Sequence, residues 1–141
     1  MQHKPTPIGF LLNRTDKALT RALDGTLGEF GLTRVAWQVL NMVKKEGGIT
    51  DAEVLKILSV NADAPTLTAA IETTLTGGWT TRPAAGQLAL TPDGATRLAE
   101  VAEHVTAFRT RSVDGITPEE YGTVIRVLER MIQNLDGPGR P

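Results

Sequence analysis

Ile49 to Leu90, ITDAEVLKILSVNADAPTLTAAIETTLTGGWTTRPAAGQLAL, decides the fold. Thr50 followed three residues on by Glu53 is a capping box: the hydroxyl serves the amide of Glu53, and the carboxylate reaches back to the amide of Thr50. Val54, Leu55 and Leu58 give that first helix an apolar face. Asp63 caps a second helix, with Pro65 tolerated in a first turn whose amides have no intrahelical partner. Leu67, Ile71 and Leu75, spaced four apart, predict its buried stripe. Gly77-Gly78 ends the helix, because glycine enters the left-handed conformation at little steric cost. Trp79 to Arg82 and Gln87 to Leu90 then read as short strands, with Pro83 and Gly86 in the turn between them. Helix, turn, helix and hairpin in this order predict a winged helix-turn-helix.

The flanks extend the pattern. From Ile8 to about Phe30 the positions Leu12, Leu19, Leu23, Leu27 and Phe30 follow helical spacing. Arg14, Lys17 and Arg21 share another face, as a solvated surface with Asp16 and Asp24 for ion pairs or as a basic rim. Gly31 breaks this helix and Thr33 caps the next, about residues 34–46, with Val35, Val39, Leu40 and Val43 inward. After the hairpin, Thr91 caps and Pro92 starts a long helix to about Arg111, with Leu98, Val101, Ala102, Val105 and Phe108 along one side. Asp114-Gly115 interrupts it. Thr117-Pro118-Glu119-Glu120 starts a last helix with a second capping box and an apolar stripe of Tyr121, Val124, Ile125, Leu128, Ile132 and Leu135. Residues 1–7 read as a flexible arm and 138–141 as a disordered tail.

Several of these stretches resemble the MarR family of transcriptional regulators. The likeness lies in the LT-x-x-x-W-x-VL run at Leu32, Thr33, Trp37, Val39 and Leu40, in Pro65-Thr66-Leu67-Thr68, in Gly78-Trp79, and in Leu90-Thr91-Pro92-Asp93-Gly94. It spans nearly the whole chain in the right order. The resemblance implies a mainly α fold of six helices with a small β wing. Residues 1–30 would form an arm and dimerisation helix, 31–92 the DNA-binding domain, and 93–137 further dimerisation helices. The last stripe alone would fit intramolecular packing equally well; the resemblance favours a homodimer.

It also implies a regulator, with repression as the expected sense, acting on a pseudo-palindromic operator in double-stranded DNA. The second helix of the motif would enter the major groove and the wing the adjacent minor groove. With Leu67, Ile71 and Leu75 inward, Thr66, Thr68, Ala69, Glu72 and Thr73 face the groove. Thr50, Thr66, Thr68, Ala69, Thr73 and Arg82 are the candidate DNA contacts. Threonine hydroxyls bond phosphates or bases, and their methyls pack on thymine methyls. For Arg82, plain surface charge is the competing reading. Family members commonly bind small aromatic, often anionic molecules, for which Arg14, Trp37 and Phe108 are the candidate effector contacts; each also reads as packing or surface.

Composition pulls the other way. Net charge is −1, and residues 49–90 carry Lys56 and Arg82 against Asp51, Glu53, Asp63 and Glu72, a net of −2. Residues 1–48 hold seven basic and four acidic side chains, net +3, and residues 91–141 six and eight, net −2. DNA-binding modules ordinarily show a basic footprint. The family often has arginines where Ala64 or Ala69 stands and near Thr73, and an Asp-x-Arg pair in a longer wing. A winged-helix module that binds a protein instead of DNA is therefore the alternative.

An enzyme is not expected. His3 and His104 have no partner at metal or triad spacing, His104 with Glu100 reads as a surface pair, and there is no glycine-rich phosphate loop. No metal or cofactor is implied. The absence of cysteine excludes disulfides, a thiolate nucleophile and cysteine-based redox sensing. No apolar run approaches the ~20 residues that span a bilayer, and MQHKPTPIGF lacks a signal-peptide core, so a cytoplasmic location and no membrane partner are expected.

Overall fold

Two glycines with positive φ, Gly47 and Gly48, turn the chain from its second helix into a strand too short to be seen by hydrophobic alternation. The computed structural model describes residues 7–137. The elements in order are α1 (Ile8–Gly28), α2 (Arg34–Glu46), β1 (Ile49–Thr50), α3 (Asp51–Leu58), α4 (Ala64–Thr76), β2 (Thr80–Thr81), β3 (Gln87–Leu90), α5 (Pro92–Ser112) and α6 (Pro118–Asp136). Six helices and a small antiparallel sheet make the expected winged helix-turn-helix. His3, the arm before Pro7 and the tail at 138–141 lie outside the described residues.

The strands are ordered β1-β3-β2, with Ile49 opposite Leu88 and Thr50 opposite Gln87 on one side, and Thr80 opposite Leu90 and Thr81 opposite Ala89 on the other. The expected strand at Trp79 to Arg82 shrinks to Thr80–Thr81. Trp79 is instead an anchor, and Arg82 has turned toward α3. β1 has no sequence signal because two residues cannot show a period.

The chain divides into two compact units, Met1–Phe108 and Arg109–Pro141. In the first, α2 packs against α4 and the strands, and Leu27, Ala36, Val39, Leu40, Val43, Val54, Leu67, Ile71, Leu88 and Val101 form the buried centre. Three inward assignments change. Leu75 is only half-buried, and Ala70 and Thr74 complete the inner face of α4. Ala102 is exposed, and Val35 is half-buried while Ala36 is fully enclosed. Thr74 escapes an apolar-pattern reading because it is polar. Its hydroxyl is satisfied inside, donating to the Ile71 carbonyl at 2.8 Å and meeting the Thr80 hydroxyl at 3.0 Å.

In the second unit, α6 starts with its capping box, as expected. Thr117 Oγ1 accepts from the Glu120 amide at 3.0 Å, and Glu120 Oε1 accepts from the Thr117 amide at 2.9 Å. No residue of α6 is buried, and Tyr121, Val124, Ile125, Ile132 and Leu135 of the stripe are exposed. In the first unit, Leu12 and Leu19 of the α1 stripe are exposed, as are Ile8, Phe10 and Leu11, whereas Leu23 and Phe30 are half-buried against the core and Leu27 is buried, so the periodicity marks burial only in the second half of the helix. Among the described residues no helix is long and apolar enough to cross a membrane.

Trp79 joins α4, the wing and α5. It is 2% exposed, and its carbonyl accepts from the Thr91 amide at 3.0 Å. The Arg97 guanidinium lies 3.9 Å from the centre of its ring and donates to the Gly77 carbonyl at 3.0 Å. Thr91 Oγ1 donates to the Gly78 carbonyl and accepts from the Gly94 amide. A Cβ at Gly94 would fall on the Trp79 carbonyl, which is backbone and has little freedom to retreat. Gly94→Ala is expected to cost about 1–3 kcal/mol, the range for overpacking a close contact, read from the urea midpoint; a cost below about 0.5 kcal/mol, the scale of a surface substitution, would show that this junction yields.

Candidate nucleic-acid interface

The outward face of α4 follows from its inward one. With Leu67, Ala70, Ile71 and Thr74 buried, Thr66, Thr68, Ala69, Glu72 and Thr73 are exposed, as expected. Asp63 Oδ1 accepts from the Thr66 amide at 2.9 Å and orders the first turn. The Thr66 side chain also faces the Asp63 carboxylate, whose pKa it lowers; among the described residues, the hydroxyl of Thr68 has no protein hydrogen bond. Thr73 donates to the Ala69 carbonyl at 3.0 Å and keeps its acceptor capacity. The face carries no cation and one carboxylate, Glu72.

Thr50 and Arg82 stand differently. The Thr50 hydroxyl accepts from the Glu53 amide at 3.1 Å and donates to Glu53 Oε1 at 2.8 Å, so its one proton is committed to the cap. Arg82 is held bidentately: Nη1 and Nη2 meet the two Asp51 oxygens at 2.8 and 2.9 Å, and Nη1 also reaches the Gln87 carbonyl at 3.3 Å. The Asp51 hydrogen bond, aided by the charges of Asp51 and Glu72, raises the pKa of this guanidinium above its ordinary value. Sequence reasoning misses the contact because 31 residues separate the partners.

Among the described residues, Arg14, Lys17 and Arg21 of α1 form no ion pair with Asp16 or Asp24. Asp24 pairs instead with Arg34 at 3.3 Å, and Arg14 lies 5.8 Å from the centre of the Phe10 ring. Trp37 is half-buried against the core, and Phe108 is buried at 8% exposure. Two open hollows of about 550 and 400 Å³ occur on the described surface, one lined by Asp24, Leu32 to Val35, Gln38 and Asn61, the other by Asp16, Lys17, Thr20, Arg21 and Asp24; neither is lined by Arg14, Trp37 or Phe108. The expected His104–Glu100 pair is absent from the described ion pairs. His104 stands edge-on to Phe30, ring centres 5.1 Å apart, an aromatic contact that charge spacing does not reveal.

Solved structures of similar shape place this arrangement among known proteins. MarR of E. coli in its reduced form has a TM-score of 0.71 at 23% identity, covering 92% of this chain and 96% of that one. The chain has the MarR fold. A MarR-family protein of Mycobacterium tuberculosis in complex with DNA gives a TM-score of 0.72 at 23% identity, over 90% of this chain and 98% of that one. The YusO protein of Bacillus subtilis gives 0.72 at 18%, over 89% and 92%. No family model and no curated protein matches the sequence.

Within the MarR fold of this chain, both caps of the helix-turn-helix are carboxylate-dependent. Hydrogen bonds from Thr50 lower the Glu53 pKa below its ordinary 4.5, and those from Thr66 lower the Asp63 pKa below 3.8. A depressed folded-state pKa contributes stability that is present above the unfolded value and is lost as pH falls through the folded one. The melting temperature of the wild type should therefore fall as pH drops from about 5 through 3. Glu53→Gln and Asp63→Asn together should flatten that fall; an unchanged acid limb would show that the caps do not titrate with folding.

Proposed function

We propose that the chain is a DNA-binding transcriptional regulator of the MarR type, acting as a homodimer and, in sense, a repressor. The observation that carries this is the face of α4: Thr66, Thr68, Ala69 and Thr73 exposed on a helix held by its opposite face and capped at Asp63. Such a helix fits the major groove, and short hydroxyl side chains reach phosphates, base edges and thymine methyls. The DNA complex of the Mycobacterium tuberculosis protein supports the reading by analogy of fold.

A second copy accounts for the exposed apolar residues of α1 and α6. Residues 1–30 and 93–137 would then form the dimerisation region around the 31–92 domain, and two α4 helices would meet half-sites about one helical turn apart. The operator is expected to be pseudo-palindromic. A small aromatic or phenolic effector contacting Arg14, Trp37 and Phe108 would act by preferring one spacing of the two α4 helices.

The cation-free α4 face, with its one carboxylate, and the neutralised Arg82 favour a second reading, a winged-helix module that docks on a protein and has lost DNA binding. The two separate on duplex DNA selected from random sequence at low salt. A regulator gives a dimer in sedimentation that retains a pseudo-palindrome, with log affinity falling against log salt more shallowly than the roughly −5 slope of six phosphate contacts; a phenolic acid that raises its melting temperature should weaken that complex. A folded dimer that retains no duplex supports the protein-docking reading, and a stable monomer contradicts both dimer and operator.

A further inference from the structure

Arg82 is the only charged residue from Gly77 to Thr91. The residue that holds it, Asp51, grips the wing twice. Its carboxylate takes the Arg82 fork at the start of the turn, and its backbone amide donates to the Gly86 carbonyl at 3.0 Å near the end. Both side chains are about one-third exposed, at 33% each, so water and salt reach the pair from one side. Gln87 supplies a further acceptor for the guanidinium. The wing therefore carries a positive charge that is already matched.

We propose that Asp51 is an internal competitor for DNA: its carboxylate occupies the Arg82 fork that would otherwise take a phosphate, so wing affinity depends on exchanging one guanidinium between the two. This rests on the regulator reading above. A carboxylate and a phosphate each offer paired oxygens matching the same two N–H groups. A guanidinium neutralised within the protein displaces no counterion from DNA, so the closed wing adds nothing to the salt dependence of binding. The competitor also explains how a wing whose sole cation points to α3 remains compatible with a DNA-binding fold. Its role is separable from folding, because the α3 capping box belongs to Thr50 and Glu53 and the Gly86 contact uses only the Asp51 backbone.

The test compares wild type, Asp51→Asn, Arg82→Gln and the double variant as full chains, on a duplex selected from random sequence with the wild type and Asp51→Asn in parallel, across a salt series. Asp51→Asn is expected to bind about 1.5-fold to fivefold more tightly at low salt, the range of one released surface charge pair. Its salt slope should steepen by about 0.9, the increment for one phosphate contact. Arg82→Gln should bind more weakly than wild type, since it leaves the Asp51 carboxylate bare, and the double variant should lose the gain of Asp51→Asn. Protection of the residue 51 amide from hydrogen exchange checks that the hairpin stays anchored. A wild type that binds, with an anchored Asp51→Asn that binds no better at unchanged slope, overturns the competitor alone. Folded proteins that all ignore duplex at low salt overturn the regulator reading, and the competitor with it.

Discussion

Burial of one face of α4 is the constraint from which the rest follows. Leu67 and Ile71 are essentially inaccessible, packed with Val39, Leu40 and Val43 of α2, and Thr74 is enclosed beside them. Complete burial of such a side chain is worth about 1.5–3 kcal/mol, so rotating α4 by even one residue would forfeit several such terms. The outward set is thereby determined without any of its members contributing to the choice. Thr66, Thr68, Ala69 and Thr73 are displayed because their neighbours are not.

Around that fixed helix the wing is attached at two places of different character. At its base Trp79 is buried, backed by Gly94 and covered by Arg97, a steric and aromatic junction that leaves little room for movement. At its turn the attachment is polar and partly exposed, through Asp51 to Arg82 and Gly86. Exposed ion pairs contribute little net stability. The base is thus built to position the hairpin, and the turn is built of contacts that another anion could replace.

Much of this is legible in the sequence, for identifiable reasons. Caps are local: Thr50 with Glu53, Thr117 with Glu120 and Asp63 with Thr66 each lie three residues apart, and all three form. Four-residue spacing finds Leu67 and Ile71 but passes over Thr74, whose burial depends on a hydroxyl partner six residues away. β1 is too short to have a period, and its partner Leu88 is remote in sequence. Arg82 is correctly read as the wing's cation, whereas its engagement with Asp51 is a tertiary fact. The effector candidates Arg14, Trp37 and Phe108 come from resemblance; neither of the two hollows gathers them.

A threonine-faced α4 has an electrostatic consequence: with no cation on that face, one added carboxylate has nothing to neutralise it near a phosphate. Thr68 is exposed, so replacing it leaves the core untouched. The most direct measurement is the affinity of Thr68→Glu for a duplex retained by the wild type, taken beside its melting temperature. If α4 faces DNA, affinity should drop about tenfold or more through uncompensated repulsion, with the melting temperature within about 2 °C of wild type, as for a surface change. Unchanged affinity in the equally stable variant would contradict the assignment of this face to DNA.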